Sequence, residues 1–142
     1  MSDNSDWNKC RLIKIKGFPD DNGGLSVVES GIDIPFSIKR IYYLFGIKEK
    51  LSRGFHAHKE LYQVYIPING EFDVELDDGY SKKAFHLDDR NYGLFIKPIT
   101  YRKLYNFSKG SICLVLASHL YSEDDYIRDY EEFLKCDRVI TL

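Results

Sequence analysis

The sequence predicts an all-β domain, an antiparallel barrel or sandwich with a short helix at its C-terminal end. Apolar and polar residues alternate in several short runs, and turn signals separate these runs. Aromatic residues make up 15% of the 142 residues, with 11 Tyr and 9 Phe, and such residues favour half-buried strand faces. Many short strands with regular turn signals are typical of sandwiches and barrels.

The N-terminal third predicts three strands behind a polar tail at residues 1–9. The first strand starts at Leu12 and ends at a cluster of turn residues, Gly17–Gly24, and the second covers Leu25–Glu29. Ile38–Phe45 is a strong strand candidate, because its side chains alternate between two faces along the run. One of these faces carries Arg40, Tyr42 and Leu44.

Two further turn signals divide the middle of the chain. Val64–Leu76 alternates in the same way, and Asn69-Gly70 within this run is a hairpin signal. Asp78-Gly79 predicts a second hairpin. Gly93–Ile96 and Ile112–Ala117 are predicted to be short buried strands, which complete the β domain.

Only the end of the chain has a helical pattern. Ser122 and Asp125 have the spacing of a capping box, and apolar residues follow at helical intervals. These are Tyr126, Tyr130, Phe133 and Leu134. The acidic run 123–125 is then explained as the first turn of this helix, where carboxylates interact favourably with the helix dipole.

Charge and composition exclude several classes of protein. Lys and Arg total 20 and Asp and Glu total 22, so the net charge is −2 and we expect no broad basic surface for nucleic acid or an anionic membrane. No apolar run reaches the ~20 residues that cross a bilayer. Cys10, Cys113 and Cys136 lie far apart and predict reduced thiols. We therefore expect one cytoplasmic domain covering residues 1–142.

Two histidines lie close together in the middle of the chain. His56 and His58 are two residues apart, so on a strand they project to the same face. Two imidazoles in one cavity could bind a metal ion, perform acid–base chemistry or form a structural hydrogen-bonded pair. A phosphorylated ligand could be held by Arg40, Arg53 and Arg102, because a guanidinium group binds phosphate through two hydrogen bonds.

The spacing downstream of these histidines resembles the first conserved motif of cupins, H-x-H-x4-E-x6-G. Gln63 stands where cupins carry the glutamate, and Gly70 completes the spacing. Residues 98–103, which correspond to the second cupin motif, contain no histidine. Two imidazoles and an amide bind a divalent cation poorly without an anionic ligand, and Arg102 adds positive charge. The sequence therefore predicts no metal ion and no other cofactor.

Five segments in order along the chain resemble the sugar-nucleotide 3,4-ketoisomerases, the WxcM-like TDP-4-keto-6-deoxyglucose 3,4-oxoisomerases of the cupin superfamily. They cover nearly the whole chain from Gly17 to Phe133. The segments are Ile34–Tyr43, Arg53–Lys59, Leu76–Gly79, Val115–Ser118 and Asp125–Tyr130. The resemblance implies a cupin-type jelly-roll β-barrel with a short C-terminal helix, a homodimer and a reaction without metal.

The resemblance also implies the reaction and the residues that perform it. The ketone of TDP-4-keto-6-deoxyglucose would move from C-4 to C-3, on the way to 3-amino-3,6-dideoxy sugars. His56 and His58 match the catalytic histidines of the family, Tyr42 and Arg40 match its pocket strand, and Arg53 matches the arginine before the histidines. The C-3 hydrogen is adjacent to the ketone, so a histidine can remove it to give an enediolate. We assign this step to His56, with His58 and Tyr42 completing the proton relay.

Two positions depart from some members of the family. Asn22 stands where some members carry Arg, and Arg102 stands where some carry His. Both positions are expected near the sugar, so we assign Asn22, Arg102 and also Gln63 to substrate binding. Arg102 favours a product with the gluco configuration at C-4.

Two other functions remain open from the sequence. A 3,5-epimerase related to cupins would also use a base and a tyrosine, but it would leave the ketone at C-4. A non-catalytic sugar-nucleotide-binding module would bind its ligand without exchanging the C-3 proton, and it would not need two histidines. His86 and His119 lie outside the matching motifs and are predicted to be surface residues.

Overall fold

The predicted all-β class is confirmed by a computed structural model, which describes residues 6–142. Two five-stranded antiparallel sheets pack face to face in a jelly-roll arrangement, and a two-stranded hairpin lies beside them. The strands are β1 (Arg11–Lys14), β2 (Lys16–Asp20), β3 (Gly23–Val27), β4 (Arg40–Leu44), β5 (Arg53–His58), β6 (Gln63–Asn69), β7 (Phe72–Asp77), β8 (Lys82–Leu87), β9 (Tyr92–Ile96), β10 (Tyr101–Tyr105), β11 (Ile112–Ala117) and β12 (Tyr126–Ile127), and the helix is α1 (Tyr130–Leu134).

The order of the strands brings distant parts of the chain together. The first sheet runs β1-β9-β6-β11-β4, and the second sheet runs β12-β5-β10-β7-β8. Strand β4 therefore forms one edge of the first sheet, while the short β12 pairs with β5 at one edge of the second. Strands β2 and β3 pair only with each other among the described residues.

The main core lies between the two sheets. Alternate residues of each strand point into it, because successive side chains of a strand face opposite sides of the sheet. The first sheet contributes Tyr65, Leu94 and Val115, and the second contributes Phe72, Val74, Leu76 and Leu104. On the β4 side the core ends at Tyr42 and Leu44, which are only partly buried.

Two smaller clusters cover the outer faces of the sheets. Ile34, from the loop before β4, packs with Phe95 and other apolar residues of the first sheet. On the second sheet, Ala57 of β5 packs with Ile127 and Phe133 near the C-terminus. This contact holds the C-terminal segment against β5, beside the two histidines.

The N-terminal segment differs from its prediction. Residues 17–24, predicted as a turn cluster, form most of a hairpin in which β2 pairs with β3 and Asn22 lies in the turn. The strand predicted at Leu25–Glu29 overlaps β3, whereas β2 was not predicted, because this hairpin is almost entirely exposed and lacks apolar alternation. The predicted polar tail at 1–9 lies partly outside the described residues, and within it Trp7 packs edge-on against Phe95 at 5.0 Å.

The hairpin predicted at Asn69-Gly70 is wrong, whereas the one at Asp78-Gly79 is confirmed. Strand β6 pairs with β9 and β11 in the first sheet, but β7 pairs with β8 and β10 in the second. The chain therefore crosses between the sheets at Gly70, which has a positive φ of 69°. A turn signal marks a change of direction, but it does not determine which strands form hydrogen bonds.

The C-terminal helix begins later than predicted. Ser122 makes no capping hydrogen bond through its side chain, and Glu123–Asp125 forms a single 3₁₀ turn. Tyr126 then belongs to β12, because its pairing with β5 overrides the local helical pattern. Helix α1 follows with Asp129 as its N-cap. Within residues 6–142, neither this helix nor any other is long and apolar enough to span a membrane.

Candidate active site

A cavity of about 440 Å³ opens where the main core ends, between β4 of the first sheet and β5 and β12 of the second. Its size is typical of a pocket for one small molecule. Its wall combines cationic, aromatic and apolar side chains from both sheets. The lining residues that carry functional groups include Arg40, Tyr42, Arg53, His56, Tyr65, Tyr121, Tyr126 and Arg128.

A β-bulge in β5 sets the direction of His56. Arg102 of β10 lies opposite His56 and Lys103 lies opposite Gly54, which leaves Phe55 as an extra residue in β5. Gly54 and Phe55 both have positive φ values, 92° and 57°. A Cβ on Gly54 would lie 3.0 Å from the carbonyl oxygen of Arg102, so glycine permits this close approach of the two strands. The bulge thus places His56 at the cavity.

His56 and His58 lie side by side with their rings nearly perpendicular. The ring centroids are 4.9 Å apart and the ring planes meet at 85°. Tyr126 contacts both rings, with centroids 5.1 Å from His56 and 4.5 Å from His58. His56 is partly exposed, whereas His58 is completely buried. The Nε2 atom of each ring is buried and has no hydrogen-bond partner among residues 6–142.

Asp125 contacts the other nitrogen of His58. Its Oδ2 lies 2.9 Å from Nδ1 of His58, and its Oδ1 accepts a hydrogen bond from the backbone N–H of Glu60 at 2.8 Å. The backbone carbonyl of Asp125 also accepts from the N–H of Lys59 at 2.9 Å. An ionised carboxylate can only accept hydrogen bonds, so Nδ1 of a neutral His58 carries the proton and Nε2 carries the lone pair.

The surroundings favour the uncharged form of both rings. Burial, followed by the positive charge of Arg102, lowers the pKa of His56 to about 4. The same two causes lower the pKa of His58. The carboxylate of Asp125 favours the charged form of His58, but the loss of hydration around a completely buried ring has the larger effect. Both histidines are therefore neutral at pH 7 and available as bases.

A buried hydrogen-bond network lies next to the cavity. Gln63 donates from Nε2 to the phenolic oxygen of Tyr42 at 2.9 Å, and its Oε1 accepts from the hydroxyl of Tyr65 at 3.3 Å. The same Oε1 accepts from Nη1 of Arg102. Burial raises the pKa of Tyr42, so its phenol keeps its proton at neutral pH. Because Gln63 already donates to the phenolic oxygen, Tyr42 is free to donate its own hydrogen to a ligand.

Three arginines line the cavity, and one of them, Arg128, is paired with Glu123 through two hydrogen bonds of 2.8 and 3.0 Å. The guanidinium of Arg40 lies 5.2 Å from the ring centroid of Tyr42, and that of Arg128 lies 4.3 Å from the ring centroid of Tyr126. Arg53 is exposed on the cavity wall. A guanidinium group binds phosphate through two parallel hydrogen bonds, so Arg40 and Arg53 suit a ligand that carries a diphosphate.

The residues predicted for the site fall into three groups in the structure. Those that line the cavity are Arg40, Tyr42, Arg53 and His56. Those that are completely or almost completely buried beside it are His58, Gln63 and Arg102. Asn22 lies at the exposed tip of the β2–β3 hairpin, outside the cavity lining. The other two histidines, His86 and His119, are exposed as predicted.

Five residues at the site are absent from the sequence-based prediction: Tyr65 and Tyr121 of the cavity wall, and Asp125, Tyr126 and Arg128 near the C-terminus. The helical pattern assigned Asp125 to a helical turn and Tyr126 to the buried face of a helix. A signal was present for the C-terminal three, because they belong to the segment Asp125–Tyr130 that carries part of the family resemblance. These three reach the histidines because β12 pairs with β5.

The side chains at this site do not fit a divalent cation. Gln63 stands where the cupin motif has an anionic ligand, and its Oε1 already accepts from the guanidinium of Arg102. A cation bound there would lie beside that positive charge. His58, for its part, has one nitrogen bound to Asp125. The donor set suits proton transfer better than metal binding.

The comparisons with known proteins point to one family. A family model described as "FdtA: WxcM-like, C-terminal" matches residues 8–138 of the chain. The TDP-4-oxo-6-deoxy-alpha-D-glucose-3,4-oxoisomerase of Aneurinibacillus thermoaerophilus is 43% identical over 125 residues, which cover 88% of this chain and 90% of that protein.

Solved structures agree in fold. A crystal structure of a variant of the 3,4-ketoisomerase QdtA from Thermoanaerobacterium thermosaccharolyticum, in complex with TDP-4-keto-6-deoxyglucose, has a TM-score of 0.88 at 40% identity and covers 91% of this chain and 93% of its own. The dTDP-4-dehydrorhamnose 3,5-epimerase of Bacillus anthracis is only 14% identical, with a TM-score of 0.73, covering 82% of this chain and 76% of its own. The second likeness shows a shared fold and nothing more.

Proposed function

Because the chain belongs to the FdtA family of WxcM-like, C-terminal proteins, we propose that it is a 3,4-ketoisomerase that moves the ketone of TDP-4-keto-6-deoxyglucose from C-4 to C-3. One observation supports this chemistry above all others. The ring centroids of two neutral imidazoles, His56 and His58, lie 4.9 Å apart, neither Nε2 has a hydrogen-bond partner within residues 6–142, and the protonated Tyr42 lines the same cavity as His56. The product is a precursor of 3-amino-3,6-dideoxy sugars.

The first step removes the proton from C-3. His56 is the histidine that lines the cavity, so its Nε2 lone pair takes this proton, and the C–H electron pair moves into an enediolate. Negative charge then develops on O-4. Tyr42, whose hydroxyl accepts from Gln63 and can still donate, stabilises that charge through a hydrogen bond.

The second step completes the isomerisation. After its proton has exchanged with the solvent, His56 protonates C-4, while the proton of the O-3 hydroxyl transfers to O-4 through His58 and Tyr42. Substrate and product are isomers, so no external oxidant or reductant is needed. The net change is one proton from C-3 to C-4 and one from O-3 to O-4. A positioned acid–base group contributes ~10²–10⁴-fold to such a rate.

Binding of the substrate depends on the cationic wall. We expect Arg40 and Arg53 to contact the diphosphate, because both line the cavity and guanidinium matches phosphate geometry. Gln63 and Arg102 act on the sugar through the orientation of Tyr42. Asn22 lies outside the cavity lining, so its contact with the sugar stays a prediction.

We also expect a homodimer. Strand β4 is the edge of the first sheet, and three apolar side chains on it and directly after it are exposed at 58–68% of their surface, namely Ile41, Tyr43 and Phe45. An exposed apolar strand at the edge of a β-sheet tends to associate with another chain. A two-fold contact with a second copy would cover the same row on both subunits. The cytoplasmic location stays a prediction, which the three free cysteines support.

The experiment that tests the function is proton NMR of the protein with TDP-4-keto-6-deoxyglucose in deuterated buffer containing EDTA. We expect a 3-keto product that carries deuterium at C-4, formed without metal. Coupling constants in the same spectrum report the C-4 configuration. Exchange at C-3 or C-5 with the ketone still at C-4 would instead show an epimerase. Line broadening without any exchange would show a sugar-nucleotide-binding module.

A further inference from the structure

The carboxylate of Asp125 contacts Nδ1 of His58, whereas Nε2 of the same ring has no hydrogen-bond partner within residues 6–142. We propose that Asp125 is a positioning residue, which fixes the Nδ1–H tautomer of His58 so that Nε2 remains the proton acceptor at the substrate. This inference rests on the proposed function for its role in the reaction. Its structural part, the tautomer of His58, can be tested without substrate.

The geometry supports an orienting role because both partners are held in place. His58 is completely buried on β5, and Tyr126, directly after Asp125, pairs with it across the two strands. The Oδ2 atom of Asp125 lies 2.9 Å from Nδ1 of His58. Its Oδ1 is bound by the N–H of Glu60 at 2.8 Å, so the carboxylate cannot rotate without losing a second hydrogen bond.

The chemistry requires this choice of tautomer. A neutral imidazole donates from one nitrogen and accepts at the other. Were the proton on Nε2, the lone pair of Nδ1 would face the lone pairs of the carboxylate in a buried place, and the ring would offer the substrate no base. The carboxylate therefore selects the tautomer that proton transfer needs, since the hydrogen bond of one ring nitrogen determines the state of the other.

The remaining charged and titratable groups near His58 do not offer its Nδ1 an alternative acceptor. They come from four elements around the ring and are His56 on β5, Arg102 on β10, Arg40 on β4, and Tyr126 and Arg128 on or after β12. The arginines are donors only, and the ring of Tyr126 packs against His58 at a centroid distance of 4.5 Å and a tilt of 58°. Among residues 6–142, Asp125 alone has a hydrogen bond with this ring through a side chain.

The test compares Asp125→Asn with the wild-type protein in two measurements. The amide of the variant can keep the hydrogen bond from Glu60 through its oxygen, and its nitrogen then donates to Nδ1 and moves the ring proton to Nε2. Long-range ¹H–¹⁵N NMR of ¹⁵N-histidine-labelled protein without substrate reads the tautomer, with His58→Gln identifying the signal. We expect Nδ1–H in the wild-type protein and Nε2–H in Asp125→Asn.

The second measurement is steady-state turnover. We expect kcat of Asp125→Asn to fall by ~10²–10⁴-fold, the contribution of one acid–base group, with little change in KM. Asp124→Asn is the matched control, because Asp124 is exposed and adjacent in sequence, and its kcat should equal that of the wild-type protein.

Each result decides a different claim. A wild-type His58 that carries its proton on Nε2 would overturn the inference, even if Asp125→Asn failed to fold. Wild-type kcat in Asp125→Asn would overturn it as well. If the wild-type protein produced no 3-keto sugar but showed the Nδ1–H tautomer that Asp125→Asn reverses, the proposed function would fail while the assignment of the tautomer would hold.

Discussion

Gln63 and Arg102 are both buried, and the carbonyl oxygen of the Gln63 side chain accepts a hydrogen bond from the guanidinium of Arg102. The amide nitrogen of Gln63 in turn donates to Tyr42 at 2.9 Å. At the position where a cupin motif has a metal-binding glutamate, this chain has a residue that orients a phenol. The side chain at this position therefore connects Arg102 to the phenol of Tyr42.

The first prediction concerns His56, the histidine on the cavity wall. His56→Asn removes the base but leaves a polar side chain of similar length in a partly exposed position, so the fold should remain intact. We expect kcat to fall by at least ~10²–10⁴-fold, measured by the appearance of the 3-keto product. His86→Asn, at an exposed site, serves as the control. Turnover equal to that of the wild-type protein in His56→Asn would remove this residue from the mechanism.

The second prediction concerns pH. The pKa of His56 is lowered to about 4 in the folded protein, below its ordinary value of 6.5. Between these values the unfolded chain binds more protons than the folded protein, so the free energy of unfolding should rise with pH from about 4 to 6.5. Urea unfolding at several pH values measures this slope, which should be smaller in His56→Asn.

The same shift predicts the acid limb of the activity profile. A free-enzyme base with a pKa of about 4 stays active well below pH 6.5, so kcat/KM should decline only as the pH approaches 4. Because acid unfolding could mimic this decline, far-UV circular dichroism at each pH is the control. An acid limb at pH 6.5 in folded protein would contradict the assigned environment of His56.

The third prediction concerns the β-bulge. Gly54→Ala places a Cβ 3.0 Å from the carbonyl oxygen of Arg102, at a φ of 92° that other residues rarely adopt. We expect a loss of stability of about 1–3 kcal/mol and a lower kcat, because the strain displaces His56. Gly24→Ala is the matched control, since the nearest atom to its Cβ is 3.8 Å away. Equal urea midpoints for the two variants would show that the bulge tolerates a side chain.

The fourth prediction concerns the configuration of the product. Arg102→His removes the guanidinium that holds Gln63 and so loosens the orientation of Tyr42. We expect the ratio of gluco to galacto products, read from coupling constants by NMR, to shift away from gluco. Lys103→His, one position along β10 and on the opposite face, should leave the ratio unchanged. An unchanged ratio in Arg102→His would count against its role in selecting the face of protonation.

The fifth prediction concerns assembly. The wild-type protein should sediment with about twice the chain mass of 16.6 kDa in analytical ultracentrifugation. Phe45→Glu introduces a charge beside the exposed side chains of Ile41 and Tyr43, directly after β4. This change should shift the protein towards the monomer. Val139→Glu, at another exposed apolar site, is the control. A dimer of unchanged stability in Phe45→Glu would place the interface elsewhere.

Much of the fold follows from local patterns. Alternation identified β4 and β7 and placed Arg40, Tyr42 and Leu44 on one face, because the side-chain period of a strand is set by its backbone geometry. The pair His56 and His58 was visible for the same reason. The strand predicted at Leu25–Glu29 overlaps β3, but β2 and its pairing with β3 were not visible, because neither face of this hairpin is buried.

The sequence by itself determined the all-β class, the strands with one buried face and the two histidines that share a side. Only the tertiary structure decided that β6 and β7 belong to different sheets and that Asp125, 67 residues after His58, contacts its ring. The physical reason is that hydrogen bonds between distant strands depend on strand order, which no local period encodes. The 3₁₀ turn at Asp125 followed from that pairing, against the local helical pattern.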